Sequence, residues 1–202
     1  MFPNHMFGLL YHPREEWDSI RKEGAPSILQ VFIRYALFLA LIPPVSLFIG
    51  TTQMGWSVAG GDVTKLSVES AIPIAVAFYF ALLVGIAFVA YCMFWMERTF
   101  GVTASFERCL IFTIYTSTPM FLSGFIGLLP ILWLDFFVVL AAVCYSVYLL
   151  YSGIPVFMDI PEERGFIFAS SVLTVGLCAL VGCMAITVIM WGMGFGPSFV
   201  SS

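Results

Sequence analysis

The sequence predicts an all-α polytopic membrane protein: five transmembrane helices preceded by a short N-terminal amphipathic interfacial helix. Three observations predict it. The 202 residues are 61% hydrophobic and 10% charged, where a soluble domain carries about 25% charged residues. The mean hydropathy is +1.02, which leaves too little polar side chain to cover a surface facing water. Finally, five windows hold the roughly 20 apolar residues that a helix needs to cross a hydrocarbon core about 30 Å thick.

The exception to this greasiness is the stretch YHPREEWDSIRKEG, Tyr11 to Gly24, which holds seven of the twenty charged residues. Pro13 suits the first turn of a helix. Glu15, Glu16 and Asp18 come early and Arg21 and Lys22 late, an order that complements the helix dipole. Trp17 and Ile20 share a face. The expectation is a helix lying on the cytoplasmic membrane surface with Trp17 turned toward lipid. Arg14, Glu15, Arg21 and Lys22 would stay available to a soluble protein partner. The first long apolar segment begins near Ile28, so no cleavable signal peptide is expected.

The predicted spans follow in order. The first covers about 28–50, with Arg34 near its start and Pro43 and Pro44 breaking its outer half. A loop from Thr51 to Ser70 carries Trp56, suited to a membrane interface. The others cover about 71–96, 109–129, 131–151 and 170–191. In lipid the backbone must bond within itself, and stretches such as ALLVGIAFVAY lack the period-two pattern of a barrel strand, so these are helices. The third and fourth spans should form a tight antiparallel hairpin around Pro130. The rows Ala77, Ala81, Gly85 and Thr174, Cys178, Gly182 are small residues four apart, which would let helices approach closely, within the bundle or between two copies. The division is therefore 1–27 as a cytoplasmic segment, 28–192 as the five-helix domain and 193–202 as a short extracytoplasmic tail.

With five spans, one side collects Arg14, Arg21, Lys22, Arg34, Arg98, Arg108 and Arg164, and the other only Lys65. That bias predicts a cytoplasmic N-terminus and an extracytoplasmic C-terminus.

Candidate functional groups are few. Glu97 with Arg98, and Glu107 with Arg108, sit at the cytoplasmic mouths of spans two and three. They read as solvated anchors, or as a salt-bridged network with Glu162, Glu163 and Arg164. Asp135 is the acid placed well inside an apolar run, either near the outer interface or serving an ion or proton. Arg34 poses the same choice on the inner side. Thr116, Ser117 and Thr118 precede Pro119, where hydroxyls can bond carbonyls freed by the proline or can line a cavity. The five cysteines form no CxxC pair and read as packing residues. His5 and His12 fall outside the predicted bundle, and HExxH, GxSxG and P-loop patterns are absent, so no enzyme, cofactor or metal is expected. Eight Lys and Arg make no basic stripe for nucleic acid.

Four stretches resemble one family. HPREEWDSIRKE, FIGTTQMGW, YTSTPMFLSG and YLLYSGIPVFMDIPEERG are similar, in this order, to motifs of the Yip-one (Yip domain) family, in its bacterial inner-membrane, YohC-like branch. The likeness runs from Phe7 to Trp191. It implies five spans and a cytoplasmic N-terminus. Eukaryotic members bind Rab-type GTPases, but this chain has neither their long N-terminal region nor their DLYGP-type motif. The reading is a membrane scaffold or adaptor. The alternatives are a small channel or transporter with its polar site around Asp135 and the Pro119 kink, and a membrane-shaping protein. Expected partners are the bilayer, a cytoplasmic protein and a second copy of the chain.

Overall fold

A computed structural model describes residues 2–22, 31–57, 63–101, 104–129, 131–194 and 196–201. Helices α1 (Phe2–Tyr11) and α2 (Pro13–Lys22) come first. The first span consists of a π-helical turn (Phe32–Ala36), α3 (Leu37–Ile49) and a second π-helical turn (Gly50–Met54). Strand β1 (Thr64–Leu66) precedes α4 (Val68–Phe100). The third span is α5 (Phe106–Thr116), α6 (Thr118–Ser123) and a 3-10 turn (Gly124–Leu128). Helices α7 (Leu132–Met158) and α8 (Glu162–Gly192) follow, and β2 (Phe199–Ser201) closes the described chain. Five of these segments are long and apolar enough to cross a membrane: 32–54, 68–100, 106–128, 132–158 and 162–192. The protein is an all-α polytopic membrane protein. Pro130 and residues 28–30 of the first predicted span lie outside the described residues.

The two ends of the bundle differ. At one, the arginine-rich end, α2 finishes and the α4–α5 and α7–α8 connections turn. Gly101 stops α4 and Asp159 stops α7, both in the left-handed region (φ 70° and 57°). The Ser105 hydroxyl accepts from the Arg108 amide and caps α5. At the other, the sheet end, β1 and β2 pair antiparallel with Lys65 opposite Val200. Ser198 accepts from the Ser67 amide at 3.0 Å and donates its own amide to the Ser70 hydroxyl at 3.1 Å. Residues 196–201 thereby fasten the C-terminal end to the start of α4.

The core is centred on α5, where every residue from Cys109 to Tyr115 is buried. A helix apolar on all sides is enclosed by its neighbours. α4 turns Ile86, Ala90, Met93 and Glu97 inward, the three- and four-residue spacing of one helical face. α8 buries Gly165, Phe168, Ala169 and Val172, and no described residue beyond Val172 is buried.

Two sequence expectations need correction here. Pro43 and Pro44 do not break the first span, since α3 runs unbroken through both and buries them. Their short rings make a shallow wall on which the third span lies very close. The 3-10 turn has about three residues per turn, so Gly124 and Gly127 face the same way, toward α3. A Cβ at Gly124 would stand 2.6 Å from the Pro43 Cα, and one at Gly127 3.3 Å from the Leu47 amide nitrogen. The rows Ala77–Ala81–Gly85 and Thr174–Cys178–Gly182 do not bring helices together within the chain. Apart from half-buried Gly85 they are exposed, and a Cβ at Gly85 or Gly182 would meet nothing within 4 Å. The inward face of α4 is set instead by its larger apolar side chains.

Gly124→Ala is expected to cost about 1–3 kcal/mol through overpacking. Gly85→Ala should be neutral, or stabilising by up to about 1 kcal/mol from helix propensity. Unfolding of the purified protein in detergent compares the two. Equal effects would refute the close Gly124–Pro43 contact as the cause.

Candidate functional site

The site is the seat of α1 and α2 in the bundle. Pro13 has no N–H, so the Leu9 carbonyl loses the donor that a straight helix would supply. The chain bends at His12 and Pro13. The Tyr145 hydroxyl, on α7, reaches both the Leu9 and Leu10 carbonyls at 2.9 Å. Bonds from the His12 amide to the Gly8 carbonyl (2.8 Å) and from the Glu16 amide to the His12 carbonyl (3.1 Å) keep each side of the bend helical.

The bend folds Glu16 back over α1. A Cβ at Gly8 would overlap the Glu16 carboxylate, so glycine makes room for it. His5 Nδ1 hydrogen-bonds Glu16 Oε1. The His5 ring stands edge-on to Tyr115 of α5, with centroids 6.2 Å apart. This corrects the expectation that both histidines lie outside the bundle. His5 is drawn in because α1 is itself an apolar helix, with Leu9 fully buried.

Trp17 is corrected as well: it is 0% exposed and faces protein. Its ring packs on Phe112 (4.8 Å between centroids) and Phe157 (5.7 Å). Gly153 opens the notch, because a Cβ there would stand 2.6 Å from Trp17 Cε2. Ile20 is buried beside it. An amphipathic helix buries its apolar stripe against whatever apolar surface is at hand, and here a groove on α5 and α7 takes the place of lipid.

At the arginine-rich end, Arg21 donates to the Val156 carbonyl (3.1 Å) and to Asp159 (2.9 Å). Arg108 donates to the Phe157 carbonyl (2.5 Å) and stands 5.2 Å above the Phe157 ring. Two arginines thus supply donors to the last carbonyls of α7, where positive charge also suits the helix dipole. Lys22 pairs with Asp18 at 2.5 Å. The Asp18 carboxyl is held below its usual range, first by the hydrogen bond from Lys22, with burial opposing and the charges of Lys22 and Arg21 adding. Arg14 and Glu15 are exposed.

Of the two readings of the mouth charges, the alternative of a salt-bridged network is not seen among the described residues. Among the described residues the ion pairs join His5 to Glu16, Arg21 to Asp18 and Asp159, and Lys22 to Asp18. Glu97 is buried and accepts instead from the Ala104 amide at 2.8 Å, closing the α4–α5 connection. Arg98, Glu107, Glu162 and Arg164 are exposed.

The polar groups proposed within the membrane are dispersed. Thr118 is 1% exposed and bonds the Tyr35 hydroxyl at 2.7 Å. Ser117 interrupts the third span between α5 and α6 and donates to the Thr113 carbonyl at 2.8 Å. Pro119 is buried in the first turn of α6. Thr116 Oγ1 is buried without a partner. Asp135 lies in the first turn of α7, at the sheet end, with Oδ1 buried and unpartnered. Arg34 is exposed on the first π-helical turn. One groove of about 310 Å³ runs between α4 and α8, past Phe88, Cys92 and Cys178. Another of about 370 Å³ runs between α3 and α4, past Pro44 and Tyr79. Neither is lined by Asp135 or by Thr116 to Pro119. Among the described residues no three metal-binding side chains converge.

Sequence reasoning missed His5, Gly8, Tyr115, Tyr145 and Gly153. A signal for one of them was present: Gly8 lies five residues before Pro13 in an apolar run, the composition of a sharply bent helix.

Trp17→Ala should destabilise the protein by about 3–5 kcal/mol. Tyr145→Phe, which leaves the carbonyls at the bend without their donor, should cost about 1–3 kcal/mol. Unfolding in detergent measures both, and a neutral Tyr145→Phe would refute its role at the bend. A carboxylate whose folded pKa is lowered supports the fold above its unfolded pKa and loses that support as pH falls through the folded value. Lys22→Gln should therefore move the Asp18 titration upward in an NMR experiment, and an unmoved titration would refute the assigned cause.

The comparisons with known proteins agree with this architecture. The Yip1 domain matches residues 7–183. The chain is 40% identical over 192 residues to the inner membrane protein YohC of Escherichia coli strain K12, covering 95% of this chain and 98% of that protein. The same figures hold for YohC of E. coli O6:H1, strain CFT073. No solved structure matches. The matched stretch runs from within α1 into the last third of α8, taking in the bend at His12 and Pro13, four whole spans and most of the fifth, and the chain belongs to the Yip1 domain family.

Proposed function

We propose that this protein is a non-enzymatic scaffold or adaptor of the bacterial inner membrane, with its arginine-rich end and N-terminus in the cytoplasm and its C-terminal strand outside. The observation that carries the reading is the two-sided character of α2. Trp17 and Ile20 are buried in the bundle and Arg21 is tied to α7, while Arg14 and Glu15 remain exposed on the same rigid helix. A helix fixed in this way presents charged side chains to a soluble protein at little entropic cost. The inner-membrane placement rests on the relatives named inner membrane protein. The orientation rests on seven Lys and Arg against one.

A photo-crosslinking residue at position 14 or 15 should capture a discrete cytoplasmic protein in cells, and Trp17→Ala should abolish the adduct. Absence of protein adducts at both positions, with the protein inserted and folded, overturns the adaptor reading.

One observation favours transport as a second reading: Asp135 Oδ1 is buried without a partner. Ion flux into liposomes decides it. The scaffold reading expects protein-containing and empty vesicles to leak alike. Flux that needs the protein and falls in Asp135→Asn would replace that reading with transport.

A further inference from the structure

Helix α2 lies along α7 and runs in the same direction. The bend before it sits at Tyr145, Trp17 sits at Gly153, and Arg21 reaches Val156 and Asp159. Tyr145 is the middle residue of the 27-residue α7, so α2 covers the half of that span nearer the arginine-rich end. Exposure changes character across the bend. Before it, Phe7 and Tyr11 of α1 are exposed, four residues apart on one helical face. After it, Arg14 and Glu15 are exposed. Charged groups in hydrocarbon are costly, so on this face lipid stops at the bend. The lipid-facing side of α7 agrees, since its large exposed apolar side chains run from Leu132 to Tyr148, about 24 Å at the helical rise per residue.

The opposite holds on α8. Tyr151 of α7 meets the Phe166 ring (5.3 Å between centroids) and the Ser170 hydroxyl (2.8 Å). Phe166 and Ile167 therefore stand level with the part of α7 that α2 covers, yet they are 62% and 57% exposed. Exposed apolar side chains continue from there to Trp191, a length of about 38 Å. The four hydroxyls of α8, on Ser170, Ser171, Thr174 and Thr187, each donate to the carbonyl four residues earlier, which satisfies them without water. Tyr91 and Trp95 extend the exposed apolar surface on α4 toward the same end.

We propose that the bilayer meets this protein at two heights: lipid ends at the α1–α2 bend on the face carrying α2 and reaches Phe166 and Ile167 on the face carrying α8, so that α2 lies in a hydrated notch in the surrounding lipid. One apolar length is shorter and the other longer than a hydrocarbon core of about 30 Å. A bilayer that thins beside α2 and thickens along α8 accommodates both, at a modest cost per ångström of mismatch. Phe7 and Tyr11 suit the floor of the notch, where aromatic side chains sit at the edge of the hydrocarbon. The notch brings water to Arg14 and Glu15 at a level where the opposite face is in lipid. The inference holds whichever end of the bundle is cytoplasmic.

Nitroxide labels on the full chain in phosphatidylethanolamine–phosphatidylglycerol nanodiscs test this. Buried Cys109 is kept and the other four cysteines are replaced by alanine. Labels are placed one at a time through Arg14→Cys, Glu15→Cys, Phe166→Cys and Ile167→Cys, with Met184→Cys as the lipid-facing reference. Relaxation by a water-soluble nickel chelate and by oxygen, which concentrates in lipid, reports the surroundings of each label. Labels at 14 and 15 should relax severalfold faster with nickel than labels at 166 and 167. The latter should prefer oxygen, as the label at 184 does. The same preference at both pairs, or the reverse pattern, overturns the proposal. Where a labelled variant does not fold, the unsubstituted protein decides: a photoactivated diazirine on a lipid acyl chain should modify the segment around 166–167 and spare 14–18. Equal modification of the two segments, or modification of 14–18 alone, overturns the proposal.

Discussion

A backbone in hydrocarbon must find every hydrogen bond within the protein, and this chain removes helical N–H donors repeatedly. Prolines stand at 13, 43, 44, 73, 119 and 155 within or at the start of helices. The donors that repair the arginine-rich half come from elsewhere in sequence. Tyr145 of α7 serves the bend between α1 and α2. Arg21 of α2 and Arg108 of α5 serve the last carbonyls of α7. Each repair of the backbone is therefore also a tie between elements, and three of the four elements involved are tied to α7. Glu97 does the reverse and supplies an acceptor for the Ala104 amide in a connection between spans.

This arrangement makes the bundle unequal along its length. Near the arginine-rich end, α1, α2, α5 and α7 pack around Trp17, Phe112, Phe157 and Leu149. Toward the sheet end, α8 carries exposed side chains from Leu180 to Trp191, and α4 exposes Ile72, Val76 and Phe80. Those surfaces suit lipid, and the two helices are joined there by a short strand pair rather than by interlocked side chains. The polar chemistry follows the same division. The ion pairs among the described residues lie in the N-terminal helices or join them to α7. At the sheet end Asp135 stands apart from them, one turn into α7.

The spans were legible because hydropathy over about 20 residues responds to one large term, the transfer of apolar side chains. Helix α2 was legible because Pro13, its early acids and its late bases are local signals. The direction of Trp17 was not, since lipid and the groove of Phe112, Gly153 and Phe157 are equally apolar and the sequence distinguishes them only through the missing side chain at Gly153. Helix α1 escaped notice because its ten residues, Asn4 and His5 among them, are too few and too mixed to span. His5 was invisible for a further reason: its contact with Glu16 depends on a bend whose angle is set by a tyrosine 136 residues after Leu9. Gly124 and Gly127 fell inside the predicted span 109–129, and their shared face depends on the 3-10 geometry that places them one turn apart. The two small-residue rows do not draw helices together within the chain, because a period of four marks a face without saying what covers it.

The seat of α1 and α2 is held by contributions of comparable size and opposite sign. Truncating a buried tryptophan costs about 3–5 kcal/mol. Against that, Trp17 Nε1 is buried without a partner, and an unsatisfied buried donor costs about 1–3 kcal/mol. Fixing each residue of the segment costs about 1–2 kcal/mol of backbone entropy. The ties through Arg21 and Lys22 are largely exposed and so contribute little. Nothing in this set is large enough to fix the segment irrevocably. The residues that seat α2 are also those that would be uncovered if it left, so docking of this segment governs both the rigidity of the charged face and the exposure of the apolar one.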